Sequence, residues 1–213
     1  MNETSALRSQ YSVAGLFYEI PGSRGPYACR SVLEISSNSV EKDAPPDAIF
    51  VMMNPGNSVP LAKTSTDKRF AEIVPAKPDT TQDQVMRVMQ KLSWHRVRIL
   101  NLSDLRNSKS KEFYRQVDNF NAEHDNHIHS IFSSQRADEL RRALARSSGA
   151  PIVVAWGCHY KLKRLASFAI GALAGQRFVG VPASRGEWRY LHPLPPNAKR
   201  QREWLESALR TLT

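Results

Sequence analysis

The chain has 213 residues, 41% hydrophobic and 23% charged, with ten glycines and thirteen prolines. That is ordinary globular composition with apolar material for one sizeable core, and it excludes collagen-like and low-complexity chains. Two cysteines, Cys29 and Cys158, exclude a disulfide framework and a four-cysteine metal site. The formal net charge of +10 draws polyanions, and nucleic acid is the usual one. From Arg136 onward fourteen Lys and Arg stand against five Asp and Glu, with no basic low-complexity tail, so a basic face built from folded segments is expected. Residues Met1 to Ser5 lack the basic region and apolar run of a secretory signal. No apolar stretch approaches the ~18 residues a membrane span needs. A cytoplasmic monomer with no membrane contact and no obligate protein partner is expected.

Residues 11 to 35 read as β-rich, with Gly15 to Ile20 and Tyr27 to Ile35 flanking a turn at Pro21 to Gly25. Ala48 to Met53 is a short continuous apolar run, as in a strand buried on both faces of a parallel sheet. A helix opens at 79 to 83, with Thr80 and Asp83 at capping-box spacing, and runs to Leu92. Arg96 to Asn101 reads as the second central strand and 107 to 129 as a long polar connection. Ala137 to Ala145 reads as a helix, Pro151 to Gly157 as the third strand, and Lys161 to Leu173 as another helix. Arg177 to Val181 reads as the fourth strand and Lys199 to Leu212 as a closing helix. This order predicts a single α/β domain (1–213): a three-layer sandwich around a central, mostly parallel four-stranded sheet (47–213), with an N-terminal β-rich extension (1–46).

In such sheets ligands bind beyond the carboxyl ends of the strands. Asn54-Pro55-Gly56-Asn57-Ser58 follows the first strand and Asn101 ends the second. Gly157-Cys158-His159 follows the third, and His192-Pro193 the fourth. Taken singly, an Asn after a strand is more often a turn residue than a ligand; four strands delivering amides and a histidine to one rim is a stronger signal.

In this order the elements resemble the uracil-DNA glycosylase superfamily. Met53-Asn54-Pro55-Gly56 resembles its first motif, especially in the mismatch-specific and single-strand-selective branches. Ile99-Leu100-Asn101 resembles the strand whose Asn reads the base. Val154-Ala155-Trp156-Gly157 resembles the third strand, and His192-Pro193-Leu194-Pro195 resembles the His-Pro-Ser-Pro motif. The resemblance spans Ile49 to Arg202, and the chain is also similar to an uncharacterised bacterial family sharing the Asn-Pro and Trp-Gly elements. It implies a monofunctional DNA glycosylase without metal or cofactor. Asn54 would hold the attacking water and His192 would donate to the base carbonyl. Asn101 would hydrogen-bond the base edge, beside Pro55 and Gly56, with Phe70 stacking on the flipped base or lying in the core. Leu194 and Pro196 would wedge into the duplex, with Ser58, Lys199 and Arg200 on phosphate. Backbone N–H groups of 54–58 would floor the pocket as a nest.

Departures from the pattern narrow the substrate. Asn54 stands where the uracil-specific branch has Asp, implying slower turnover. Gly56 stands where that branch places a Tyr that blocks C5 of the pyrimidine. Leu194 replaces a phosphate-binding serine, and Met52 replaces a glycine. These favour a C5-modified pyrimidine, such as the bulky modified cytosines of phage genomes, and an antiviral role. Alternatives are a uracil or thymine mismatch repair glycosylase, a non-catalytic nucleic-acid-binding protein on the same fold, and an enzyme of free modified nucleotides. Of the remaining residues, the patch of Glu123, His124, His127 and His129 reads as a solvent-exposed loop. Asp104 and Asp118 form no paired site, Cys158 reads as packed rather than nucleophilic, and Trp156 and Trp188 as core or stacking.

Overall fold

A computed structural model describes residues 3–41, 44–124, 127–145, 149–184 and 186–213. Arg146 and Arg185, two of the fourteen basic residues counted above, lie outside the described residues. Among the described residues eight strands form one mixed sheet: β1 (Tyr11–Ile20), β2 (Tyr27–Ser37), β3 (Ala48–Met52), β4 (Val59–Pro60), β5 (Ile73–Lys77), β6 (Arg96–Asn101), β7 (Ile152–Val154) and β8 (Phe178–Val179). Their order is β4-β5-β1-β2-β6-β3-β7-β8. Strands β6, β3, β7 and β8 run parallel, and β2 joins β6 antiparallel. The expected four-stranded sheet is thus half of a larger one. The N-terminal hairpin is no separate extension, because β2 meets an otherwise open strand edge and supplies its missing ladder bonds.

Among the described residues six helices cover the sheet: α1 (Glu3–Arg8), α2 (Thr80–Leu92), α3 (Ser110–Glu123), α4 (Ala137–Leu144), α5 (Lys163–Ala172) and α6 (Ala198–Leu212). Strand alternation divides the core. Ile49, Val51 and Leu100 pack with Phe113, Leu140 and Leu165 from α3, α4 and α5. Phe50, Val97 and Ile99 pack with Leu7, Met86 and Trp204 from α1, α2 and α6. The chain therefore leaves β3 for one face, through α2, and leaves β6 for the other, through α3. Connections that part in this way open a crevice at the carboxyl ends of the two strands. No helix among the described residues is long and apolar enough to cross a membrane.

Three local expectations are corrected. The 107–129 connection contains α3, whose Phe113, Val117 and Phe120 recur at helical spacing inside a mostly polar sequence. The capping box of α2 lies one residue earlier, at Asp79 and Gln82, which frees Asp83 for a two-pronged ion pair with Arg8. His129 is fully buried rather than exposed: its ring meets Phe120 edge-on, its Nδ1 bonds Ser103 Oγ at 2.8 Å, and burial pushes its pKa down to about 3.

Candidate active site

A cavity of about 390 Å³ lies at the carboxyl ends of β3, β6 and β7, within the usual size range of a small-molecule site. It brings together Asn54, Pro55, Gly56, Asn101, His192, Leu194 and Pro196, seven of the eleven site residues expected from sequence.

Asn54 follows β3. Its Nδ2 donates to Asn107 O at 2.7 Å and to Leu105 O at 3.4 Å. The loop after β6 thereby fixes the amide and leaves Oδ1 as the end that can accept from water. Gly56 has φ +62°, a left-handed conformation that favours glycine, and a Cβ there would stand 2.8 Å from Asp79 Oδ2. Backbone geometry therefore favours glycine here, and the Asp79 carboxylate crowds the place that a side chain would take.

Asn101 ends β6 in register with Met52. It is 0% exposed, lines the cavity, and neither atom of its amide has a protein partner. Leaving both donor and acceptor orphaned in the interior costs about 1–3 kcal/mol per group. An arrangement with that penalty is expected where a ligand supplies the missing partners.

His192 sits on a loop tied at several points. Gly157 N donates to Tyr190 O at 2.8 Å, and Trp204 Nε1 to Leu191 O at 3.1 Å. Gln84 Nε2 donates to Pro193 O at 3.1 Å, and Gln201 Nε2 to Pro195 O at 2.8 Å. Leu194 N donates to His192 Nδ1 at 3.1 Å, so in the neutral ring Nε2 carries the proton. Burial pushes its pKa down to about 4, against the pull of Asp79. At neutral pH His192 is an uncharged N–H donor held in place.

Sequence reading missed Arg30 and Asp79 as cavity residues. Arg30, on β2, is 2% exposed and its Nη1 donates to Pro55 O at 3.2 Å. Burial lowers its pKa to about 10, so it stays charged at neutral pH. Asp79 lies at the N-terminus of α2, where its Oδ1 accepts from Thr81 N and Gln82 N. No local signal marks Arg30; it reaches the cavity only because β2 pairs with β6. Asp79 is legible as a helix start, and only the fold turns it towards Gly56.

The remaining expected residues lie elsewhere. Phe70 is 69% exposed on a turn outside the cavity lining and is no part of the core. Ser58 is fully buried beside the cavity rather than in it, with its carbonyl accepting from Arg106. Lys199 and Arg200 are exposed in the first turn of α6, whose amides Asn197 caps. Cys158 lines the cavity, but burial raises its pKa and so disfavours the thiolate a nucleophile needs. Its neighbour His159 stacks on Tyr114 and caps the following turn. Trp156 is core and cavity wall at once, its Nε1 donating to Trp188 O. Among the described residues no three His, Cys, Asp or Glu side chains cluster to hold a metal.

The fold and cavity define an α/β protein with a cleft at the sheet's carboxyl edge, lined by apolar walls and a few convergent polar groups. The chain belongs to the family described as "protein of unknown function (DUF1643)", whose model matches residues 36–194. No curated protein and no solved structure matches it.

Proposed function

We propose that the protein is a monofunctional DNA glycosylase that flips a pyrimidine nucleotide into this cavity and hydrolyses its N-glycosidic bond. The observation that carries the reading is Asn101: a fully buried amide with both ends unpartnered, in one cavity with Asn54 and His192. A primary amide offers one donor and one acceptor side by side, which matches the N3/C4 edge of a pyrimidine. Because no protein group fixes its orientation, it can serve uracil and thymine or, turned over, cytosine. The other groups fit the bond that breaks. As C1′–N1 cleaves, its electron pair passes into the base, and the His192 Nε2–H bond to the C2 carbonyl strengthens as negative charge grows. Water held on Asn54 Oδ1 adds to C1′ and releases its proton to solvent, since an amide cannot take it. The product is an abasic site. Gly56 puts no side chain beside C5, and the space behind it is bounded by the Asp79 carboxylate rather than by a ring, which favours a C5-modified pyrimidine as substrate and, for a bacterial host, phage DNA as its source.

The test is incubation with single-stranded and duplex oligonucleotides carrying uracil, mismatched thymine, cytosine or C5-modified cytosines, followed by detection of abasic sites. Base release from at least one of them is expected, and a fall of about 10²-fold or more in His192→Ala. Binding without release by the native protein would favour a non-catalytic nucleic-acid-binding role; turnover of free nucleotides alone would favour a nucleotide enzyme.

A further inference from the structure

Strand order gives the cavity a direction. His192 borders β7, where its Cβ lies 3.9 Å from the position of a Cβ on Gly157. Asn101 stands on β6, and Arg30 comes from β2 on the far side of β6. In a pyrimidine, C2 and C5 are opposite corners of the ring. A base with its C2 oxygen on His192 and its N3/C4 edge on Asn101 therefore points C5 towards Arg30. Two charged groups line that end. Arg30 Nε is buried and unpartnered. Asp79 uses Oδ1 for the helix cap, while its Oδ2 faces the gap at Gly56.

We propose that Arg30 and Asp79 form a second, polar subsite of the cavity that receives a neutral, hydroxyl-bearing substituent on C5 of the pyrimidine. The proposal rests on the glycosylase reading above. A hydroxyl supplies an acceptor for the guanidinium N–H and a donor for the carboxylate, and charge-assisted bonds of this kind are the stronger ones. An anionic substituent would meet the Asp79 carboxylate, and a cationic one would meet Arg30. A bare methyl would shut both groups from water with no partner, at the full desolvation penalty. The subsite therefore selects by what it leaves unpaired, which discriminates far better than added apolar contact.

The experiment compares single-turnover base release from oligonucleotides carrying 5-methylcytosine, 5-hydroxymethylcytosine or the glucosylated form of the latter. The native protein should favour at least one hydroxyl-bearing base over 5-methylcytosine by tenfold or more. Asp79→Asn keeps the helix cap, since Asn caps as well as Asp, and should lower that preference at least fivefold. Arg30→Lys keeps the charge but loses the guanidinium fork, and should do the same independently. The ratio of two substrates on one variant cancels loss of folded protein. A native ratio near one, or a ratio unchanged in both variants, overturns the subsite. An equal fall on all substrates also overturns it, since the pair would then serve catalysis or folding. No base release by the native protein from these or from uracil and mismatched thymine would remove the glycosylase reading and the subsite with it.

Discussion

Two buried polar regions flank β2, built from similar residues and organised in opposite ways. In one, Asp104 Oδ2 accepts from Tyr18 at 2.6 Å and pairs with Arg136 at 2.7 Å. Arg136 also holds Glu139 at 2.7 Å, and Lys68 reaches Glu139 at 2.8 Å. Charge answers charge. Burial would raise the Glu139 pKa, yet the Arg136 guanidinium outweighs it and holds the carboxyl at about 2. In the other region, the cavity, the Asn101 amide and Arg30 Nε face no partner at all. Similar chemistry thus fastens β1, the loop after β6 and α4 together in one place and waits for a ligand in the other. Burial of polar groups does not by itself mark function, and neither does a single unpaired atom, since Asp104 Oδ1 also lacks a partner in the paired region; a whole amide left unanswered where it lines a cavity is the stronger sign.

The largest effect should come from breaking the answered region. Arg136→Ala strands the Asp104 carboxylate in the interior, a loss of about 3–5 kcal/mol, which should lower Tm by roughly 6–20 °C for a chain of this size. Calorimetry showing an unchanged Tm would place Asp104 in contact with water. In the cavity the expected effect is on rate. Asn54→Ala and His192→Ala should each reduce base release by about 10²-fold or more, with Tm moving by only a few degrees.

Acidification should separate the regions further. The folded pKa of His129 is depressed to about 3 by burial, with His127 and Arg136 adding to it. Its contribution to stability is therefore complete above its unfolded value near 6.5 and is lost as pH falls towards 3. Glu139 acts lower, from its unfolded value near 4.5 down to about 2. Urea midpoints should fall from pH 6.5 downward, and His129→Gln should flatten the upper part of that slope, leaving the share of His192, whose depressed pKa of about 4 acts with the same sign. Base release, by contrast, should show no inflection near pH 6.5, because His192 is already neutral there. Activity lost as pH rises through 6.5 would mean that His192 works as an imidazolium.

The smallest effect belongs to the exposed cations. Replacing Lys199 and Arg200 together with Ala should weaken DNA binding equally on all sequences and flatten the plot of log affinity against log salt by about one unit per lost contact. An unchanged slope would move the phosphate contacts off the first turn of α6.

Much of the frame was legible because it is local. The apolar run read at 48–53 and the strand read at 96–101 are the central strands Ala48–Met52 and Arg96–Asn101, and the Asn, Gly and His residues that follow strands meet in one cavity. What escaped depends on long-range pairing. Arg30 is ordinary in its own strand and matters only because its guanidinium meets the Pro55 carbonyl. Phe113, Val117 and Phe120 hid α3 among polar neighbours, and Gln84 became a prop for the His192 loop only through contact with Pro193 and Gln201. Gly56 was read as open space beside the substrate. It is also a left-handed residue with a carboxylate at its back, so a bulky replacement there would strain the loop and could not probe the substrate wall cleanly.

The central claim, that the unanswered polar atoms are kept for a ligand, is tested most directly by Asn101→Leu. This replaces a buried amide lacking partners with an apolar side chain of similar shape. Tm and base release should be measured on the same preparation. Stability should hold or rise, by up to about 1–2 kcal/mol, because an unsatisfied donor and acceptor leave the interior, while base release falls by about 10²-fold or more. A variant that unfolds more readily and, while folded, releases base at the native rate would make Asn101 a structural residue and contradict the account.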